Sequence, residues 1–127
     1  NADLVFDMRF LRNPHWDPLL RPLTGQDAAV AAYIAEDPAY TEALERIEGL
    51  LELLLPRYAA EGKSYVTVAF GCTGGKHRSV HCAETIAARL QARGFSPTIV
   101  HRDLAQVQRG RARGTMDADT DTRGSGG

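Results

Sequence analysis

The stretch Ser64-Tyr65-Val66-Thr67-Val68-Ala69-Phe70-Gly71-Cys72-Thr73-Gly74-Gly75-Lys76-His77-Arg78-Ser79 decides the fold. Its first seven residues are rich in β-branched and aromatic side chains, which suit a pleated, half-buried strand. Beyond it, Val80, Ala83, Ile86, Ala87 and Leu90 recur at helical spacing, and Gly94 supplies the left-handed stop that ends many helices. A strand, a glycine turn and a helix in direct succession form one βα unit.

The turn between them suits an anion. Gly74 and Gly75 let the backbone curl so that successive peptide nitrogens point inward. The following helix adds its free N-terminal amides and the positive end of its dipole. Arg78 offers a planar fork for two oxygens, Thr73 and Ser79 offer hydroxyls, and Lys76 and His77 add donors. The candidate ligand set at the turn is therefore Thr73, Gly74, Gly75, Lys76, His77, Arg78 and Ser79, and the candidate ligand is a small phosphorylated metabolite. No resident cofactor is implied, and no cluster has metal-ligand spacing.

Outward from this unit, Leu4 to Phe10 alternates as a strand, and Asn13-Pro14-His15-Trp16-Asp17-Pro18 breaks it. Asp27 to Ala35 reads as a short helix. A longer one begins at Asp37-Pro38, reaches about Leu55 through Leu44, Ile47 and Leu51, meets Pro56 and stops at Gly62. Its glutamates, from Glu42 to Glu52, are expected on a solvated face. Pro97 to His101 is a third strand. From Gln106 onward Gly, Arg, Asp, Thr and Ser dominate, so residues 106–127 are expected to form a disordered tail behind an α/β domain at 1–105. Strands alternating with helices imply a small, mainly parallel sheet flanked by helices. Ligands bind beyond the carboxyl ends of such strands. There His15 joins the loop as a ligand contact, with Asn13, Arg21, His101 and Arg102 as a possible rim. Arg9 either pairs with Asp7 or another acid in a buried ion pair or serves the site. Trp16 is expected to pack within its loop, and His81 to lie at the surface.

The chain has 127 residues, of which 43% are hydrophobic and 24% charged, with a formal net charge of −1. That is ordinary globular composition, without the bulk positive charge of a dedicated nucleic-acid binder. No apolar run approaches the roughly 20 residues of a membrane span. Two cysteines do not make a disulfide scaffold, and a reduced cytoplasmic setting fits them. The chain opens on Asn1, with no basic region or apolar core of a signal peptide, and reads as a piece of a longer protein.

Two motif comparisons bound the chemistry. The turn fails the nucleotide pattern G-x-x-x-x-G-K-[ST], because Phe70 stands where the first glycine belongs and His77 where the Ser or Thr belongs. Cys72, Gly75, Arg78 and Ser79 do fit Cys-x-x-Gly-x-x-Arg-Ser, which resembles the signature of cysteine-dependent phosphatases. That alternative makes Cys72 a nucleophile and Arg78 the oxygen clamp, with Asp17 or Asp103 as the general acid. The other reading makes Cys72 a small residue packed at the base of the loop.

Longer strings are more distinctive. Asp7-x-Arg9-Phe10-Leu11-x-Asn13-Pro14-His15-Trp16, Leu20-Arg21-Pro22-Leu23-Thr24-Gly25, the run from Gly71 to Val80, and His101-Arg102-Asp103-Leu104 together resemble the C-terminal domain of the RapZ RNase-adapter family, the YvcJ-type nucleotide-binding proteins. The resemblance spans roughly residues 3–104. It implies a sensor of glucosamine-6-phosphate that binds small RNAs, presents them to an endoribonuclease and so controls amino-sugar synthesis. It implies a non-enzymatic, self-associating domain that follows an N-terminal domain with Walker motifs. The family pocket falls on His15, Thr73, Gly74, His77 and Arg78. Family RNA binding draws on a short basic C-terminal end; here Arg109, Arg111 and Arg113 are followed by Asp117, Asp119 and Asp121, which oppose a phosphate backbone.

Overall fold

The computed structural model describes residues 2–63, 65–100 and 113–119. The chain runs β1 (Leu4–Asp7), a 3-10 turn (Pro14–Trp16), α1 (Ala28–Ala35), α2 (Tyr40–Ala60), β2 (Tyr65–Gly71), α3 (Arg78–Ala92), β3 (Ser96–Val100) and β4 (Arg113–Asp119). The α/β class follows the sequence. The strands form one sheet in the order β1-β2-β4-β3. β1 pairs with β2 in parallel, from Leu4 opposite Val68 to Asp7 opposite Gly71. β4 is antiparallel to both β2 and β3, so β1, β2 and β3 share one direction and only β4 opposes them.

β4 corrects the expected tail over residues 113–119. Its composition alone is a poor strand former, but β2 and β3 supply ladder partners on both sides. The rest of the expected tail lies outside the described residues.

Burial sorts the sheet into two faces. Val66, Val68 and Phe70 are fully buried, and Leu4 and Phe6 pack against the same core, with the Phe6 and Phe70 rings stacked at 5.6 Å. α3 covers this face with Val80, Ala83, Ile86, Ala87 and Leu90, and α2 adds Leu44, Ile47, Leu51 and Leu55. The alternate residues occupy the other face, where Val5 and Tyr65 are largely exposed. Glu48 of α2 ties the helices together by accepting from Arg93, just past the end of α3, and from Arg89 within it, which holds its carboxyl below the usual range. It is thus only partly solvated, unlike the face expected for it.

Helix ends follow their caps. Asp37 shapes the turn into α2, its Oδ1 accepting from the Ala39 N–H at 2.8 Å, and the helix proper starts three residues later. α2 continues past Pro56 to Ala60, just short of the expected stop at Gly62, with Leu55 and Tyr58 packed in the core on either side of the proline. At Gly62 (φ +88°) and Gly94 (φ +96°) the chain turns left-handed. Lys63 N–H then reaches back to Tyr58 O, and Phe95 N–H to Leu90 O, each at 3.0 Å.

Candidate functional site

β1 and β2 end side by side, Met8 N–H donating to Gly71 O at 2.7 Å. The chain then turns through 72–77 into α3. Gly74 (φ +82°) and Gly75 (φ +67°) hold backbone angles that side chains resist. The peptide nitrogens of Thr73, Gly74, Gly75, Lys76, His77 and Arg78 donate to no acceptor among the described residues. The next one, Ser79 N–H, donates to Cys72 Sγ at 3.3 Å and closes the base of the loop. Thr73 and Gly74 are exposed, Lys76 is half-buried, and Gly75, His77, Arg78 and Ser79 are buried.

His77 and Arg78 both act on one segment. Arg78 Nη1 donates to Arg9 O at 2.7 Å and to Leu11 O at 3.0 Å. His77 Nε2 donates to Leu20 O at 3.2 Å; a carbonyl only accepts, so this nitrogen carries the proton. Burial lowers the His77 pKa, and the Lys76 charge lowers it further, which favours the neutral ring. Two consecutive residues at the start of α3 therefore grip both ends of segment 9–20, which carries Asn13, His15 and Trp16. Arg78 Nε and Ser79 Oγ are buried without a partner among the described residues.

His15 sits exposed on the 3-10 turn, which Asn13 caps by accepting its N–H at 3.0 Å. Arg21 Nε donates to His15 O at 2.7 Å, so Arg21 braces the turn. Trp16 is 74% exposed and does not pack inside its loop; its ring meets the His15 ring edge-on at 5.6 Å. His81 is half-buried, its Nε2 2.7 Å from Tyr40 Oη, because α2 begins directly over it. Arg9 and Asp7 do pair, but at the surface, and this bond holds the Asp7 carboxyl at about 2. His101, Arg102 and Asp103 lie outside the described residues, as does the end expected for the third strand. Among the described residues no group of three or more His, Cys, Asp or Glu is placed to hold a metal ion, and no helix is long and apolar enough to cross a membrane.

Two features escape sequence reading. Gly25 packs so tightly on the start of α3 that a Cβ there would lie 2.3 Å from His77 O and 2.5 Å from His81 N. Its N–H donates to Lys76 O at 2.7 Å, which fixes the back of the loop. The second is a cleft of about 280 Å3 on the open face of the sheet, running from Cys72 and Thr73 over Val5, Ala69 and Gly71 to Asp7 and Arg9. Asp7-x-Arg9 was the available signal for the pair, but its exposure depends on which face of the sheet lacks a helix.

Residues 1–105 match the family model described as the RapZ C-terminal domain. A nucleotide-binding protein of Rhizorhabdus wittichii is 69% identical over 106 residues, covering 84% of this chain and 34% of the relative. One of Sphingopyxis alaskensis is 65% identical over 82% of this chain and 33% of its own length. One of Zymomonas mobilis is 60% identical over 82% of this chain and 32% of its own length. The chain thus spans about a third of the length of the curated relatives it matches. With the glycine loop, the 9–20 segment and their relatives in view, this chain belongs to the RapZ C-terminal domain family.

Proposed function

We propose that this domain is a regulatory sensor that binds a phosphorylated amino sugar, of the glucosamine-6-phosphate kind, at the loop from Thr73 to Ser79. The observation that carries the reading is the run of unengaged peptide nitrogens from Thr73 to Arg78 at the start of the 15-residue α3. Amides without acceptors at the partly buried residues Gly75 to Arg78 are costly, and an oxyanion satisfies several at once. The unpartnered Arg78 Nε and Ser79 Oγ beside them add to the same demand. His15 and Lys76 complete the proposed contacts, with Asn13, Arg21, His101 and Arg102 as the rim. Family membership supports the amino sugar as the ligand body. It also supports an adapter role in the cytoplasm, in which a homo-oligomer binds a small RNA and presents it to an endoribonuclease. The relatives are named for nucleotide binding as whole proteins, and this loop departs from the nucleotide pattern at Phe70 and His77.

The second reading is a small cysteine-dependent phosphatase with Cys72 as nucleophile. Such an enzyme needs its arginine on the phosphoryl oxygens; here Arg78 Nη1 donates to two carbonyls and Nε stays unpartnered among the described residues, so Cys72 decides between the two readings. Isothermal titration of the chain with glucosamine-6-phosphate tests the sensor reading: saturable one-site binding, kept in Cys72→Ser, is expected. Hydrolysis of a chromogenic phosphate ester that Cys72→Ser abolishes would replace it with the enzyme.

A further inference from the structure

We infer that the outward face of α2 is the contact through which this chain pairs with a second copy of itself, the two helices lying antiparallel; this rests on the homo-oligomer of the reading above and is independent of its phosphate site. α2 turns Leu44, Ile47, Leu51 and Leu55 into the core. On its opposite side Glu42, Arg46, Gly49, Leu53, Pro56 and Ala60 follow one another at alternating intervals of four and three residues, and all are exposed. That is the roughly 3.5-residue period of a seam between two packed helices. Leu53 is 57% exposed and its neighbour Leu50 40%.

Gly49 is the residue that asks for a neighbour. It stands in the middle of a 21-residue helix, where glycine lowers stability relative to alanine. Its own chain gives it no reason to be there, because a Cβ at Gly49 would meet nothing within 4 Å. A glycine on a helix seam lets a second helix come close and leaves a hole for a large side chain. Leu53 lies one turn further along the same face. An antiparallel second copy centred between the two seats each Leu53 in the hole beside the other's Gly49. The ends of the face then match as well. Glu42 and Glu45 lie at its N-terminal end and Arg57 toward its C-terminal end, and neither Glu45 nor Arg57 has an ion pair among the described residues. The antiparallel placement brings each Arg57 to the other copy's Glu42 and Glu45, whereas a parallel one sets like charges together. It also opposes the two helix dipoles. A face that complements itself under a two-fold rotation is what an isologous dimer requires, and it selects a second copy over an unrelated partner.

Sedimentation equilibrium of the full chain over a concentration series tests this. The wild type is expected to show a reversible monomer–dimer equilibrium. Leu53→Glu, at an exposed position, is expected to leave the chain monomeric with an unchanged circular dichroism spectrum. Gly49→Gln fills the hole with a better helix former, so it is expected to raise the melting temperature of the monomer and yet weaken the dimer at least tenfold. Arg57→Glu, which sets carboxylates against carboxylates, is expected to weaken the dimer too. A dimer as tight as the wild type's in either Leu53→Glu or Gly49→Gln overturns this face and leaves the homo-oligomer standing. A wild type that stays monomeric at every concentration overturns both. Glucosamine-6-phosphate binding, read by the titration above, is expected to be unchanged in all three variants.

Discussion

Replacing Arg78 by alanine removes the link between the start of α3 and the segment that carries His15. Arg78 is 3% exposed and its Nη1 spans Arg9 O and Leu11 O. Hydrogen bonds to charged groups contribute about 1.5–3 kcal/mol each. The two share one donor group and one carbonyl is only partly buried, so the expected loss is roughly 2–4 kcal/mol rather than the sum. In a domain of this size that lowers the melting temperature by roughly 10 °C. Urea titration followed by circular dichroism reads it as a lower midpoint with an unchanged slope. Arg78→Lys keeps the charge and reaches one carbonyl, so it is expected to recover about half the loss. A shift below about 0.5 kcal/mol for the alanine variant would refute the strut.

Gly25→Ala puts a methyl against two backbone atoms that have no room to move; the expected result is a loss of several kcal/mol or failure to fold, checked by thermal melting. Gly74→Ala meets open space but a φ of +82°, so it costs about 1–2 kcal/mol by the same measurement and should weaken phosphate binding. His77 and His81 both have pKa values lowered from 6.5, first by burial. Their unfolded forms take up protons before their folded forms do, so stability is full above about pH 6.5 and falls as the pH drops from there toward the folded values. Urea midpoints at pH 7.5 and 5.5 should therefore differ, and His81→Gln should shrink the difference. RNA binding, measured by filter retention, is expected to fall steeply between about 50 and 200 mM salt, in keeping with phosphate-backbone contact.

The strand–turn–helix unit was readable because each part carries a local signal. β2 is β-branched, α3 repeats apolar residues at helical spacing, and Gly74, Gly75 and Gly94 adopt the angles that only glycine takes cheaply. Orientation was not readable. Nothing local in His77-Arg78 says that both side chains turn back to carbonyls near residues 9–20, since those partners lie 57 to 69 positions away. His81 was hidden for the same reason, as Tyr40 reaches it from another helix. β4 escaped because Arg113–Asp119 is polar and glycine-containing, and its pairing comes from its neighbours rather than its own propensity.

The central claim is that peptide nitrogens of the glycine turn hold an oxyanion, and amide-resolved NMR of the 15N-labelled chain tests it most directly. Titration with glucosamine-6-phosphate should shift the amides of Gly74, Gly75 and their neighbours up to Arg78 saturably, with one shared dissociation constant, while the α2 amides stay still. Saturable shifts confined to other parts of the chain, or none at ligand concentrations that saturate calorimetric binding, would contradict the account.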